Sequence, residues 1–151
     1  MLFHKYISTG LGIGFIGKGA GTVSSIVACI FWYIFHTGGI NPPSLSIWIT
    51  FVICLVGIWS ANEIEALWGK DSNRVVIDEI AGMCITLLYV PVTLKYIITG
   101  FILFRFFDIA KPLFIRKLES ISGGWGVMAD DILAGLYANA VLQVIIIYKI
   151  F

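Results

Sequence analysis

Five carboxylates stand out in this chain as candidates for chemistry: Asp78, Glu79, Asp108, Asp130 and Asp131. Two of them open matching segments. Asp78-Glu79-Ile80-Ala81-Gly82 and Asp131-Ile132-Leu133-Ala134-Gly135 both read Asp-x-(Ile/Leu)-Ala-Gly. On a helix, residues i and i+4 share a face, so each carboxylate sits one turn from a glycine. Small residues let membrane helices approach closely. Packing through Gly82 and Gly135 would therefore bring Asp78 near Asp131. Clustered carboxylates repel one another unless a cation sits among them. Magnesium suits such a cluster, because it takes oxygen ligands and keeps waters for a phosphate substrate. Three to five of these carboxylates could share such an ion. The competing reading is N-capping, since an Asp at a helix start is stabilised by free N–H groups and the dipole. Capping accounts for one such Asp better than for five clustered carboxylates.

Cations stand close by in sequence. Arg105, Asp108 and Lys111 are spaced i, i+3, i+6 beside Phe104, Phe106 and Phe107. An ionisable residue inside a membrane segment is costly and marks function by default; the structural alternative is an ion-pair ladder. Arg116 and Lys117 follow. Metal on one side and Arg or Lys on the other is what a phosphate site needs. Positive-inside anchoring is the preferred reading for Lys117 and the alternative one for Arg116. Lys18-Gly19-Ala20-Gly21-Thr22, opening a helix, offers an anion site, with glycine-mediated packing as the alternative. Gly12 to Gly17 matches G-x-G-x-x-G, and Gly12 to Lys18 most of a phosphate-binding loop. Both are rejected, because Gly19 stands where Ser or Thr must bind magnesium and the next acid is Glu63. Ser122-Gly123-Gly124-Trp125-Gly126 reads as a loop allowing close backbone approach or simple flexibility. His4 and His36 are isolated. Cys29, Cys54 and Cys84 fit no zinc spacing and read as apolar filler.

These residues must be positioned by a membrane protein. The chain has 151 residues, 59% hydrophobic and 13% charged, with mean hydropathy +0.96. Soluble domains carry about 25% charged residues. A secreted disulfide scaffold, a nucleic-acid binder and a disordered chain all fit poorly. Net charge is +1, so bulk charge names no partner. The expected architecture is an all-α membrane bundle forming one unit over residues 1–151. About five segments are candidates to cross, each needing about 20 apolar residues: 22–35, 45–61, 75–92, 94–109 and 131–150. A turn is expected at Gly38-Gly39-Ile40-Asn41-Pro42-Pro43, and Pro91 and Pro112 mark breaks. No signal-peptide layout is present at the N-terminus.

Placing the N-terminus in the cytoplasm puts Lys5, Lys18, Lys70, Arg74, Lys111, Arg116 and Lys117 inside and leaves Lys95 and Lys149 outside. All nine acidic residues fall between Glu63 and Asp131. In this topology the glycine-rich stretch 17–22, Glu63 and Glu65, Asp78 and Glu79, Asp108 and Lys111, and Asp130 and Asp131 converge on one membrane face.

Taken in order, several motifs resemble the phosphatidylglycerophosphatase A family. They are Gly19-Ala20-Gly21-Thr22-Val23-Ser24-Ser25, Val75-Val76-Ile77-Asp78-Glu79-Ile80-Ala81-Gly82, Phe104-Arg105-Phe106-Phe107-Asp108-Ile109-Ala110-Lys111-Pro112, Ile115-Arg116, and the run from Gly123 to Gly135. The resemblance covers nearly the whole chain. Ala20 and Phe114 depart from it, standing where the family tends to have proline. It implies a magnesium-dependent phosphatase of the bacterial inner membrane. Such an enzyme removes the terminal phosphate of phosphatidylglycerophosphate to give phosphatidylglycerol. On this reading Asp78, Asp131, Glu79 and Asp130 hold magnesium. Lys111, Arg105 and Arg116 neutralise the phosphoryl oxygens, and Thr22 donates to phosphate. Asp108 is a ligand or orients Lys111. The expected catalytic set is Asp78, Asp108, Asp131 and Lys111, at the cytoplasmic face. The partners are the lipid substrate and membrane lipids, with oligomeric state left open. The rival from another class is an ion-coupled transporter, but its charges would gather near the midplane in broken helices. A phosphotransferase with D-x-x-D-G-x-x-A-R is excluded, because that pattern is absent.

Overall fold

The computed structural model describes residues 1–39, 42–70, 72–118 and 120–150. Its helices are α1 (Leu2–Ser8), α2 (Ala20–Thr37), α3 (Pro43–Trp68), α4 (Ile77–Thr86), α5 (Leu94–Ala110), α6 (Ile115–Leu118) and α7 (Gly124–Ile147), with a 3₁₀ turn at Ile13–Ile16 between α1 and α2. There is no strand among the described residues.

Burial follows the logic of a lipid solvent. Phe31, Trp48, Phe51, Ile102 and Ile147 point outward, while Ser24, Ser25, Ser46, Thr50, Ser60 and Thr86 are buried. Small polar residues at the contacts let helices close up, and the hydroxyls of these six have partners within the bundle. Ser24 and Ser25 both donate to the Gly21 carbonyl at 2.8 Å, and Thr50 donates to Ser46 O.

Three helices, α2, α3 and α7, are long and apolar enough to cross a membrane. The expected count of about five is therefore not met by length. The expected first and second spans are present and longer than anticipated. The α3 helix runs on to Trp68, so Glu63 and Glu65 lie on it rather than after it. The fourth appears as α5, whose 17 residues reach the lower end of the spanning range.

The expected third span, 75–92, is a correction. The α4 helix has 10 residues and is about 15 Å long, half of a hydrocarbon core about 30 Å thick. It stops at Thr86, short of Pro91, and Tyr89 turns the chain with φ +59°. A helix ending inside a bundle leaves carbonyls without partners. Side chains from α7 meet them. Asn139 Nδ2 donates to Thr86 O and Leu88 O at 2.8 Å, and Gln143 Nε2 donates to Leu88 O and Tyr89 O at 3.3 Å.

The start of α7 is a second correction. The segment 122–126 was expected as a loop and 131 as the helix start. The helix instead begins at Gly124, with Gly123 as N-cap at φ +78°. Its first turn packs flush on α3, where a Cβ on Gly124 would overlap the Ile58 carbonyl. Of the expected turn after α2, Ile40 and Asn41 lie outside the described residues; Pro43 opens α3, as suits a position whose N–H has no partner.

The expected pairing of the two echoed segments is present. A Cβ on Gly135 would overlap the Gly82 carbonyl, and one on Gly82 would meet Phe104 and the Asp131 carbonyl. The α4 and α7 backbones thus touch one turn from Asp78 and Asp131.

Candidate active site

Beside that contact lies a cavity of about 460 Å³. Each of its walls comes from a different element. The stretch Gly17 to Thr22 at the start of α2 forms one wall. Asp78 and Glu79, in the first turn of α4, form the second. Arg105 and Asp108 in the last turns of α5, with Lys111 at its C-cap, form the third, and Asp130 and Asp131 of α7 the fourth.

Asp78, Glu79 and Asp131 each turn one oxygen to a common point, all within 4.8 Å of one another. Asp131 is buried. Glu79 Oε2 is buried with no hydrogen-bond partner among the described residues. Asp131 lies seven residues into α7, so N-capping does not explain it. Asp78 and Glu79 do sit where a helix dipole favours negative charge.

Asp130 parts from its neighbour. Consecutive residues on a helix point about 100° apart. Asp131 therefore joins the cluster, while Asp130 accepts from Lys111 Nζ at 2.7 Å. The four expected metal ligands are thus arranged as three plus one. Arg105 Nη1 donates to Asp108 Oδ2 at 2.5 Å, so Asp108 holds Arg105 while Asp130 accepts from Lys111. The chain reaches Lys111 in a left-handed conformation, φ +45°, which ends α5 and starts the return toward α6.

The Gly17–Thr22 stretch fits against this charge closely. A Cβ on Gly21 would overlap Glu79 Oε1 and lie 3.5 Å from Arg105 Nη1. Gly19 caps α2 at φ +90°, and Thr22 lines the cavity. Eight of the expected site residues meet here: Thr22, Asp78, Glu79, Arg105, Asp108, Lys111, Asp130 and Asp131. Arg116 does not; it is exposed on α6, outside the lining. Ser72 and Asn73 line the cavity as well. They were not anticipated, because a Ser-Asn pair in a short polar connection carries no distinguishing pattern.

A carboxylate cluster flanked by two cation–carboxylate pairs, at the helix ends of an apolar bundle, is suited to a phosphorylated amphiphile. Residues 6–146 match the family model of phosphatidylglycerophosphatase A. The chain belongs to that family. Phosphatidylglycerophosphatase A of Escherichia coli is 31% identical, over 92% of this chain and 81% of its own. The Haemophilus influenzae protein of the same name is 34% identical, over 90% and 84%. A Bacteroides thetaiotaomicron protein, provisionally named a phosphatidylinositol-3-phosphatase, is 42% identical over 91% and 90%. No solved structure matches the chain significantly. Membership of the phosphatidylglycerophosphatase A family makes the protein a phosphatase and sets the transporter reading aside.

Proposed function

We propose that the protein hydrolyses the terminal phosphate of phosphatidylglycerophosphate to phosphatidylglycerol, with magnesium, at the cytoplasmic face of the bacterial inner membrane. The observation that carries this reading is the three-oxygen cluster of Asp78, Glu79 and Asp131 in one cavity with Arg105 and Lys111. The residues fit magnesium on two counts. The donors are all carboxylate oxygens, as a hard cation prefers. Glu79 Oε2, buried and unpartnered among the described residues, is an acceptor in want of a positive group.

Asp78, Glu79 and Asp131 would hold the ion. When bound, magnesium supplies charge neutralisation at the phosphoryl oxygens and a more acidic water. The chain's own residues do the rest. Lys111 and Arg105 offer N–H donors to the phosphoryl oxygens, where charge develops as the bond to the incoming water oxygen forms and the bond to the glycerol oxygen breaks. Asp130 and Asp108 keep those two side chains aimed into the cavity. Thr22 donates its hydroxyl to a phosphoryl oxygen, and the tight seat of Gly21 against Glu79 keeps that wall close.

The orientation rests on the distribution of cations. Asp78 at the start of α4 and Asp108 near the end of α5 line the same cavity, which supports N-in and C-out whether or not α5 crosses fully. A second substrate reading is favoured by the 42% identity to the protein provisionally named for phosphatidylinositol 3-phosphate. Both lipids carry a phosphomonoester on a headgroup alcohol. Side-by-side turnover of the two lipids in detergent micelles, with and without magnesium, separates the readings. The proposal expects the higher kcat/KM on phosphatidylglycerophosphate. A clear preference for the inositol lipid would replace it.

A further inference from the structure

Two apolar grooves run down either side of α2. The first, about 570 Å³, lies between α2, α3, α4 and the segment from Tyr6 to Ile13 at the end of α1, with Val27, Phe31 and Phe35 on one wall and Ile77 and Ile80 on another. The second, about 260 Å³, lies between α2 and α5, with Ile26, Ile30 and Tyr33 facing Ile98 and Phe101. Both lead toward the charged cavity. On α2 they begin at Ile26 and Val27, four and five residues below Thr22, which is about 6–8 Å along the axis. On α5 the second groove stops at Phe101, one turn before Arg105. On α4 the first groove is lined by Ile77 and Ile80, which bracket the site residues Asp78 and Glu79.

Building on the lipid phosphatase reading above, we infer that the two acyl chains of the substrate straddle α2, one in each groove, while its phosphate lies in the cavity at the head of the same helix. The occupant is fixed by continuity. Each groove shares α2 and one further helix with the polar site, α4 for the first and α5 for the second, and the axial gap of about 6–8 Å is short enough for a glycerol-phosphate linker to bridge. Each groove runs about 10–12 Å along α2, long enough to seat the upper part of a chain while the remainder stays in the bilayer. A diacyl lipid is thereby bound by three features of one helix, and a water-soluble phosphomonoester by only one.

The test pairs Val27→Trp, which fills the first groove, with Ile98→Trp, which fills the second. Neither residue contacts the charged cluster, and Ile98 is exposed. Dihexadecanoyl phosphatidylglycerophosphate and glycerol phosphate are compared as substrates. Each variant should lower kcat/KM on the diacyl lipid by about tenfold, the effect of withdrawing a few buried methylenes, and leave glycerol phosphate hydrolysis unchanged. Unchanged turnover of the diacyl lipid in both variants would overturn the inference, as would an equal loss on both substrates.

A binding readout keeps this apart from the reading of function. Wild-type protein in vesicles is irradiated with phosphatidylglycerophosphate carrying a diazirine in one chain, or with phosphatidylcholine carrying the same chain. Adducts on Ile26, Val27, Ile30 and Phe31 should be at least about fivefold more abundant with the phosphate headgroup. Equal labelling would mean bulk lipid alone and would sink the inference whatever the activity. Enriched labelling without turnover would sink the proposed reaction and leave the grooves standing.

Discussion

Asp130 and Asp131 are adjacent in sequence and different in duty. One faces Lys111, the other the carboxylate cluster. Lys111→Met should lower kcat by about a hundredfold or more, as removing a preorganised donor to developing charge does. Asp130→Asn should cost less. The double variant should be no worse than Lys111→Met alone, since Asp130 acts through Lys111; additive losses in a double-mutant cycle would contradict that. Gly21→Ala tests the seat of Glu79. The new methyl overlaps the carboxyl end of the flexible Glu79 side chain and meets Arg105 Nη1 at ordinary contact distance, so Tm should hold while activity falls by about tenfold or more and half-saturation by magnesium rises. Arg116→Ala should change kcat/KM by less than about threefold, because its side chain is exposed outside the cavity. At this scale the sequence reveals the residue types and the shared face of Asp78 and Asp131. It does not reveal which carboxylate pairs with which cation. That depends on 100° steps around α5 and α7, and both arrangements have the same spacing in sequence. Arg116 was misplaced because a cation next to a site motif carries no sign of which way its short helix points.

Among the elements, the short helix α4 governs the site. It carries two of the three clustered carboxylates and ends at carbonyls that the α7 amides meet. Asn139→Leu removes the donor to Thr86 O and one of the donors to Leu88 O. A buried carbonyl left unpaired costs about 1–3 kcal/mol, so the variant should unfold at a lower temperature and lose activity as α4 shifts. A thermal melt in detergent, read beside phosphate release, measures both; an unchanged Tm would refute the role given to Asn139. The hydropathy profile of residues 75–92 matches that of a spanning helix, so sequence alone did not show the break at Thr86. The signal lay on α7, where two amides in an apolar helix mark something needing hydrogen bonds. The glycine echo was readable because backbone contact requires glycine on both partners, and Gly82 and Gly135 do meet.

For the whole molecule, the bundle gathers its charge at one end and turns apolar side chains to lipid along its length. That much follows from composition and from where the charges fall along the chain. The number of crossings does not, because a ten-residue buried helix and a full span are equally apolar. The proposed N-in, C-out orientation does not depend on that number, since α4 begins and α5 ends at the same cavity. A membrane-impermeant thiol reagent applied to intact spheroplasts should label Lys149→Cys and spare Lys18→Cys; the reverse pattern would place the site on the other face. The central claim is that the cluster of Asp78, Glu79 and Asp131 is a magnesium-dependent centre for lipid phosphate hydrolysis. Its most direct test is phosphate release from phosphatidylglycerophosphate in micelles across a magnesium titration, for wild type and Asp131→Asn of equal thermal stability. The account predicts magnesium-dependent release by the wild type and none by the variant at any magnesium concentration. Near-normal release by Asp131→Asn, or wild-type release indifferent to magnesium, would contradict it.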